Sequence, residues 1–312
     1  MARFLVTGGS GFIGSSIVDE LLRRGEEVTV LDNLSTGREQ NLAAVRKRIV
    51  FHKFDIRDLD QIRPAFQNAD YVIHLAALPS VPRSVADPIT SNAVNLDGTL
   101  NVLVAARDAK VKRLVFSASS SAYGDNPVLP RVETHPPRPM SPYALTKLAG
   151  EYYCRIFTNL YGLETVALRY FNIFGPRQDP DSAYTGVLSI FISSYLRGKI
   201  PTIFGDGEQS RDFTFVANAV DATLRACTAP KGAGMVLNVG TGERHTLNGI
   251  IAMLNKIFSR DVTPLYGPIR QGDVRDSHAD IGLAREFLGY DPRVRFEEGL
   301  RRTVEWYRAA LA

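Results

Sequence analysis

Gly8, Gly11 and Gly14 constrain this chain more than any other feature. They stand in Thr7-Gly8-Gly9-Ser10-Gly11-Phe12-Ile13-Gly14, between a short apolar segment, Phe4–Thr7, and a helical stripe of Ile13, Ile17, Leu21 and Leu22. Glycines at that spacing, after the first strand and at the opening of the first helix, form the turn with which a parallel α/β sheet receives a dinucleotide. Each has its own job: Gly8 permits the tight turn, Gly11 lets the backbone approach a pyrophosphate, and Gly14 lets helix and strand pack closely. The helix start offers unpaired amides and the positive end of its dipole to the phosphates, so Phe12 and Ile13 in its first turn join the cofactor site. Asp32 follows a second strand, 18 residues after Gly14. A carboxylate there accepts hydrogen bonds from the adenosine ribose and repels a 2′-phosphate, which favours NAD over NADP.

The rest of the first half continues the alternation. Strands are expected at Glu27–Leu31, Ile49–Phe54, Tyr71–Leu75, Arg113–Ser117 and Thr165–Arg169, several of them continuously apolar as strands buried on both faces are. Helical spacing separates them, in a stripe through Val94, Leu100, Leu103 and Val104 and in a long run from Tyr143 to Tyr161. The alternation predicts an α/β fold, a Rossmann-type doubly wound parallel sheet, with a smaller α/β C-terminal lobe for the substrate. The boundary is placed at 1–174 and 175–312, with the chain crossing between the lobes. In the second half, helices are expected at Leu188–Leu196, Asn218–Thr228, Leu247–Phe258 and Glu297–Ala310, and strands at Phe213–Val216 and Val236–Val239. In an open α/β sheet the carboxyl ends of the strands face the ligand crevice. Asp55 and Ile56 end the third strand there, with Asp55 expected on the adenine amino group. Leu75, Ala76 and Ala77 end the fourth, where small residues let the backbone approach the cofactor. His74, inside an apolar strand, reads as a satisfied core histidine.

Composition removes other classes. Apolar residues make up 45% and charged residues 22%, the balance of a globular protein, which excludes disordered, collagen-like and disulfide-scaffold chains. No apolar stretch reaches the length of a membrane span. Cys154 and Cys227 are the only cysteines and have no metal-type spacing, and no secretory leader precedes the first strand, so a reducing, cytoplasmic compartment is expected. The histidines show no metal spacing either, and no metal is assigned. Net charge is +4, with short basic clusters at Arg23-Arg24, Arg46-Lys47-Arg48 and Arg301-Arg302, which read as solvated helix ends rather than a nucleic-acid surface.

Tyr143 and Lys147 lie four residues apart at the start of the long helix, on one face. The spacing alone is a poor signal, since Tyr195 and Lys199 repeat it without the same surroundings. The first pair gains weight from Ser117-Ala118-Ser119-Ser120-Ser121, where a buried strand ends abruptly in hydroxyls. A free tyrosine titrates near pH 10 and is a poor base at neutral pH. A nearby lysine cation and the positive nicotinamide ring favour its phenolate, which can take a proton from a sugar hydroxyl, and a serine hydroxyl can share or relay that proton.

The whole chain, from Gly8 through its C-terminal helix, resembles the extended short-chain dehydrogenase/reductases, and among them the nucleotide-sugar 4-epimerases. The resemblance is carried by Asp32-Asn33, Ser119–Gly124, Ser141-Pro142-Tyr143 with Lys147, Arg169-Tyr170-Phe171-Asn172, Gly205-Asp206-Gly207 leading to Arg211-Asp212-Phe213, and Gly272-Asp273-Val274-Arg275. It implies that Ser119, Tyr143 and Lys147 are catalytic, and that Asn33, Asn95 and Tyr170 belong to the NAD site. It implies that Asn172, Arg211 and Arg270 hold the diphosphate of a UDP-sugar, with Asp273 near the ribose and Phe204 against the uracil. The implied reaction is 4-epimerisation: hydride leaves C4 for bound NAD, the 4-keto sugar rotates, and hydride returns to the other face.

Related dehydratases and decarboxylases carry acidic residues where this chain has Ser120 and Ser121, which favours epimerisation over elimination. Ser277 stands where members restricted to UDP-glucose and UDP-galactose carry a bulky residue, and leaves room for an N-acetyl group. Ser80, Ser121 and Gln178 occupy positions that contact the sugar in N-acetylhexosamine epimerases. A hexuronic acid substrate stays open, since Arg83 or Arg177 could meet a carboxylate, as does a related dehydratase or reductase. The other class weighed, a non-catalytic NAD-binding sensor, has no need of Ser119, Tyr143 and Lys147. The resemblance also implies a homodimer packed through helices around 90–108 and 144–160.

Overall fold

The computed structural model describes residues 1–179, 186–269 and 274–311. Six strands of the main sheet come from the first half: β1 (Arg3–Thr7), β2 (Glu27–Leu31), β3 (Val50–His52), β4 (Tyr71–His74), β5 (Arg113–Ser119) and β6 (Glu164–Tyr170). A seventh, Met235–Val239, pairs with β6, and the order across the sheet is Met235–Val239, β6, β5, β4, β1, β2, β3. Every pairing is parallel. This is the doubly wound sheet expected from the alternation.

Side chains on a strand alternate between its faces, and the two faces lead to two cores. Phe4, Val6, Ile73, Val115 and Leu168 belong to one, packed against the first helix (Phe12–Arg23), the helix Val216–Thr228 and the C-terminal segments. Leu5, Val72, Leu114, Phe116 and Ala167 belong to the other, together with residues of the helices Gly98–Asp108 and Pro142–Tyr161. Burial on both faces is why these strands are apolar runs rather than alternating ones.

Segments beyond residue 175 return to the main sheet. Besides the strand Met235–Val239, the helix Val216–Thr228 lies on the main sheet, and the buried Arg113 of β5 donates to the carbonyls of Ala226 and Ala229 at its end, at 3.0 and 2.6 Å. The C-terminal part otherwise combines the helices Val187–Leu196, Leu247–Phe258, Gly282–Leu288 and Phe296–Leu311 with short strand pairs that carry too few residues to show a period. The pairs are Ile173–Phe174 with Thr214–Phe215, Ser210–Arg211 with His245–Thr246, and Thr202–Phe204 with Leu265–Gly267. The strand expected to run to Val216 stops at Phe215, because Val216 already opens a helix. The stripe through Val94 is broken by a π-helical turn, Ala93–Asp97, before the helix Gly98–Asp108, and that turn buries Asn95.

Candidate active site

Because all seven strands are parallel, their carboxyl ends gather along one edge, and candidate functional side chains stand along it. At the end of β1, Gly8 has φ +71°, and a Cβ on it would stand 2.7 Å from the Ala76 amide nitrogen. A Cβ on Gly14 would stand 2.2 Å from the Gly8 carbonyl oxygen, so the glycine is what lets the helix sit against the turn. Gly11 is different: a Cβ there would meet only the Gly8 carbonyl oxygen, at 3.2 Å, so the protein's own packing gives little reason for a glycine. Gly11 is also the N-cap of the first helix, with no side chain capping it. Uncapped helix amides beside a backbone that any side chain would screen fit a pyrophosphate.

Asp32 ends β2 and is 6% exposed. Its carboxylate accepts the Ser10 amide at 2.9 Å and the Leu34 amide at 2.8 Å, which ties the second strand to the glycine turn. Burial pushes its pKa up and those amides work against the shift. Asn33 donates to Asp55 at 2.9 Å. Arg57 takes the other positions on Asp55 through its backbone amide, Nε and Nη2, and holds the carboxyl near pKa about 2. The four acceptor sites of Asp55 are thereby used, and an adenine amino group would have to displace one of these bonds. Ile56 is buried against Gly98, while Phe12 and Ile13 are half-buried against the core. The Leu75 and Ala76 amides both turn back to Thr7, at 3.1 and 3.3 Å, leaving Ala77 half-buried beyond them. His74 is the core histidine expected: it is 1% exposed and bonded to Thr7 at 2.7 Å and Thr99 at 2.9 Å.

Ser119 is the last residue of β5, and Tyr143 and Lys147 lie in the first turns of the helix Pro142–Tyr161. Ser141 caps that helix by accepting the Ala144 amide, and Pro142 presets its first residue, so the start is fixed one residue before Tyr143. The orphan amide of Tyr143 is taken by the buried Ser84 hydroxyl at 3.1 Å. Burial raises the pKa of the phenol, and an interaction with the Ser119 side chain opposes it. Ser119 Oγ already accepts the Ser121 hydroxyl at 2.9 Å and the Ser121 amide at 3.2 Å. With both lone pairs used, Ser119 can only donate toward Tyr143, and a donor stabilises the phenolate. Lys147 is 3% exposed, and its ammonium donates to the Ser117 carbonyl at 2.8 Å, two residues up the same strand. Burial pulls its pKa down to about 8. Asn95 stands behind this group. It exchanges hydrogen bonds with the Leu78 backbone at 2.7 and 3.2 Å and reaches Thr146 at 3.4 Å, so it positions the exit of β4 against the Tyr143 helix.

Across the edge, Asn172 sits at φ +37° and donates to the Asp212 carbonyl at 2.8 Å and to Ser277 Oγ at 3.4 Å. Arg211 Nη1 donates to the carbonyls of Ser210 and Arg275 at 2.9 and 2.6 Å. Phe204 ends the short strand Thr202–Phe204 and packs on Gly267. Ser80 caps the short helix Val81–Ala86 through the Arg83 amide, and Gln178 has a buried Oε1 without a hydrogen-bond partner among the described residues. The Tyr170 hydroxyl is committed to Thr223 at 2.7 Å in the core, which leaves only its backbone for a cofactor. Arg270 and Asp273 lie outside the described residues.

Asp212 is a residue the sequence reading quoted in a motif without giving it a role. Fully buried, its carboxylate accepts the amides of Thr241, Gly242 and Ala279 and the Thr241 hydroxyl, and its own amide donates to the Ser277 carbonyl at 2.8 Å. It fixes Arg211 and Ser277 relative to each other. Ser84 left no signal in the sequence, since its role is one hydrogen bond across 59 positions. Among the described residues, no group of acidic, histidine or cysteine side chains is arranged to hold a metal. No helix of the described residues is long and apolar enough to cross a membrane.

A doubly wound parallel sheet with a dinucleotide turn and a Ser–Tyr–Lys group at its carboxyl edge defines a short-chain dehydrogenase/reductase of the extended kind. The NAD dependent epimerase/dehydratase family matches residues 4–240, and the chain belongs to it. It is 41% identical over 315 residues to the UDP-glucose 4-epimerase of Mycolicibacterium smegmatis, covering 98% of each chain. Among solved structures, UDP-glucose 4-epimerase from Thermotoga maritima with UDP-glucose is similar at TM-score 0.95 and 42% identity, over 99% of this chain and 100% of the other. The UDP-N-acetylglucosamine 4-epimerase of Methanobrevibacter ruminantium, in complex with UDP-N-acetylmuramic acid, is similar at TM-score 0.95 and 41% identity, over 99% of both.

Proposed function

We propose that the protein is an NAD-dependent UDP-sugar 4-epimerase that interconverts gluco and galacto forms, accepting N-acetylated as well as simple hexoses. The observation that carries this reading is the meeting of Ser119, Tyr143 and Lys147 at the strand edge, next to Ser120 and Ser121 rather than to an acid. Gly8, Gly11, Gly14 and Asp32 would hold NAD, which when bound supplies a reversible hydride acceptor for C4 of the sugar. Tyr143 takes the O4 proton as the base and returns it afterwards. Ser119 donates to the phenolate, and Lys147 supplies the positive charge that keeps it accessible near neutral pH. A group able to protonate a leaving hydroxyl, which elimination needs, has no counterpart at positions 120 and 121.

Asn172 and Arg211 would take the diphosphate, and Phe204 the uracil. Arg177 pairs with Asp19 through Nη2 at 2.6 Å, while its buried Nη1 has no hydrogen-bond partner among the described residues, so a uronic acid, whose carboxylate that donor could meet, is the second reading. Mixing the purified protein anaerobically with UDP-galactose, and separately with UDP-N-acetylgalactosamine, should yield the gluco epimer without added NAD when followed by sugar-proton NMR. No conversion of either, even with NAD supplied, would refute the reading.

Ser277 is assigned as the gate for the N-acetyl group, because its small hydroxyl lies beside Asn172. Ser277→Tyr is expected to reduce kcat/KM for UDP-N-acetylgalactosamine by at least about 10-fold more than for UDP-galactose, the scale set by filling a pocket. Equal losses on both would remove the gate. A homodimer is proposed from Leu145, Tyr152, Ile156 and Leu160, an exposed apolar stripe along one face of the Tyr143 helix. Sedimentation equilibrium should give twice 34.4 kDa for the native chain and a monomer for Ile156→Asp, whereas a monomeric native chain would end the proposal.

A further inference from the structure

We propose that Glu151, clamped by Arg169, is a positioning residue for catalysis: its carboxylate is the counter-charge that keeps the buried Lys147 in its ammonium form beside Tyr143. The inference rests on the catalytic reading of Tyr143 and Lys147 above. Glu151 follows Lys147 by one helical turn on the same face, and both are under 5% exposed. Arg169 of β6 grips Glu151 in a fork, Nε to Oε1 at 2.9 Å and Nη2 to Oε2 at 2.7 Å. The guanidinium lies 4.5 Å from the ring centre of Tyr123, whose hydroxyl is anchored on Asn238 at 2.7 Å. In register, Arg169 is opposite Ala118, next to the Ser117 carbonyl that receives the Lys147 ammonium.

A buried ion pair is a poor way to gain stability, because desolvation consumes most of its Coulomb attraction and packed apolar residues do as well. An apolar pair could not, however, hold negative charge toward Lys147. That cation has one carbonyl and the face of Phe116, 5.0 Å away, and burial works against its charge. Cys154 and Glu151 both oppose the loss; the Cys154 thiol is itself pushed up by burial, whereas the Arg169 fork works against the rise that burial gives the Glu151 carboxyl.

The other groups around Lys147 do not substitute for it. His74 of β4 is held neutral by burial, its pKa near 3, and the Cys154 thiol is pushed well above its usual range. Tyr143 is the base itself, and β5 presents no ionisable group there. On the helices packed outside, Asp87, Asp97 and Asp108 are exposed to solvent, and Arg83 and Arg107 are cations.

The test titrates Lys147 in the NAD-bound protein by NMR of 13Cε-lysine, assigned with Lys147→Arg, in parallel with pH profiles of kcat and KM. Glu151→Gln is expected to lower the Lys147 pKa by on the order of one unit, the effect of removing an adjacent opposite charge. The cation is then lost at lower pH, so the alkaline limb of kcat should move down by the same amount while KM stays within about twofold. Because Glu151→Gln strands Arg169, Glu151→Met/Arg169→Met is measured beside it. This pair restores a neutral, packed core and should show the same shift. Native stability with an unshifted Lys147 in that double variant would overturn the proposal. Should neither variant retain its fold, Arg169→Lys, which keeps the charge but not the fork, is expected to move the titration by a fraction of a unit in the same direction. An unmoved titration there would equally overturn it. Lack of turnover in the native protein would instead defeat the functional reading, leaving the Lys147 titration as a separate result.

Discussion

Tyr143→Phe is expected to reduce turnover of UDP-galactose by a factor on the order of 10² to 10⁴, the range for removing a general base. NAD content and thermal unfolding should stay at native levels. The separation follows from where the residue's interactions lie. Its backbone amide, which Ser84 holds, survives the substitution, as do the Ser141 cap and the Lys147 bond to Ser117. Only the phenolic oxygen and its interaction with Ser119 are lost. Stopped-assay NMR with the gluco and galacto epimers measures the effect directly. Turnover within about tenfold of the native enzyme would remove Tyr143 as the base.

The second large effect is expected at the glycine turn, where Gly14→Ala and Gly11→Ala should part company. The Cβ at position 14 would collide with the backbone of Gly8 and Gly9, at 2.2 and 2.8 Å, and neither can yield as a side chain would. Overpacking of that kind costs about 1–3 kcal/mol, so Gly14→Ala should unfold earlier by calorimetry even after NAD has been stripped. At position 11 the backbone is extended and the new Cβ would meet one atom, the Gly8 carbonyl oxygen at 3.2 Å, a tight contact that a small shift relieves, so the stripped protein should lose about 1 kcal/mol or less. Its loss should appear in NAD carried through gel filtration, because the methyl group would stand in the path proposed for the pyrophosphate. If both variants kept their NAD, the turn would not be the cofactor's seat.

The Lys147 and Tyr143 pair gives the site a pH signature with a definite sign. The Lys147 cation, with a pKa near 8, is present below that pH and is lost above it. Support for the phenolate therefore fades on the alkaline side, even though the phenol itself ionises more readily there.

Much of this was legible along the chain, wherever one element suffices to show it. Gly8 to Gly14 can be read because strand, turn and helix are consecutive. Tyr143 and Lys147 can be read because a helix brings residues four apart onto one face. The doubly wound sheet followed from β-branched runs alternating with helical stripes, and only the ends moved, with β3 shortened to Val50–His52. Of the short strand pairs, only Thr214–Phe215 overlaps an expected strand, Phe213–Val216; the others were not legible, since two or three residues carry no period.

What needed the tertiary structure is each property that depends on a partner far away in sequence. At Asp55 the local partner is Arg57, two residues on, and the distant one is Asn33, which only the neighbouring strand brings to the same carboxylate. Tyr170 lies in a strand of the main sheet, yet its hydroxyl is turned to Thr223, which only the returning helix Val216–Thr228 supplies. The return of the strand Met235–Val239 to the edge of β6, the hub at Asp212 and the Arg169–Glu151 clamp have the same character. Local periodicity, capping and glycine chemistry act over a few residues, so the sequence by itself determined the elements and which side chains could do the chemistry. Burial and hydrogen-bond pairing act across the sheet, and only folding decided which of those side chains keep their charge, their protons and their freedom to meet a ligand.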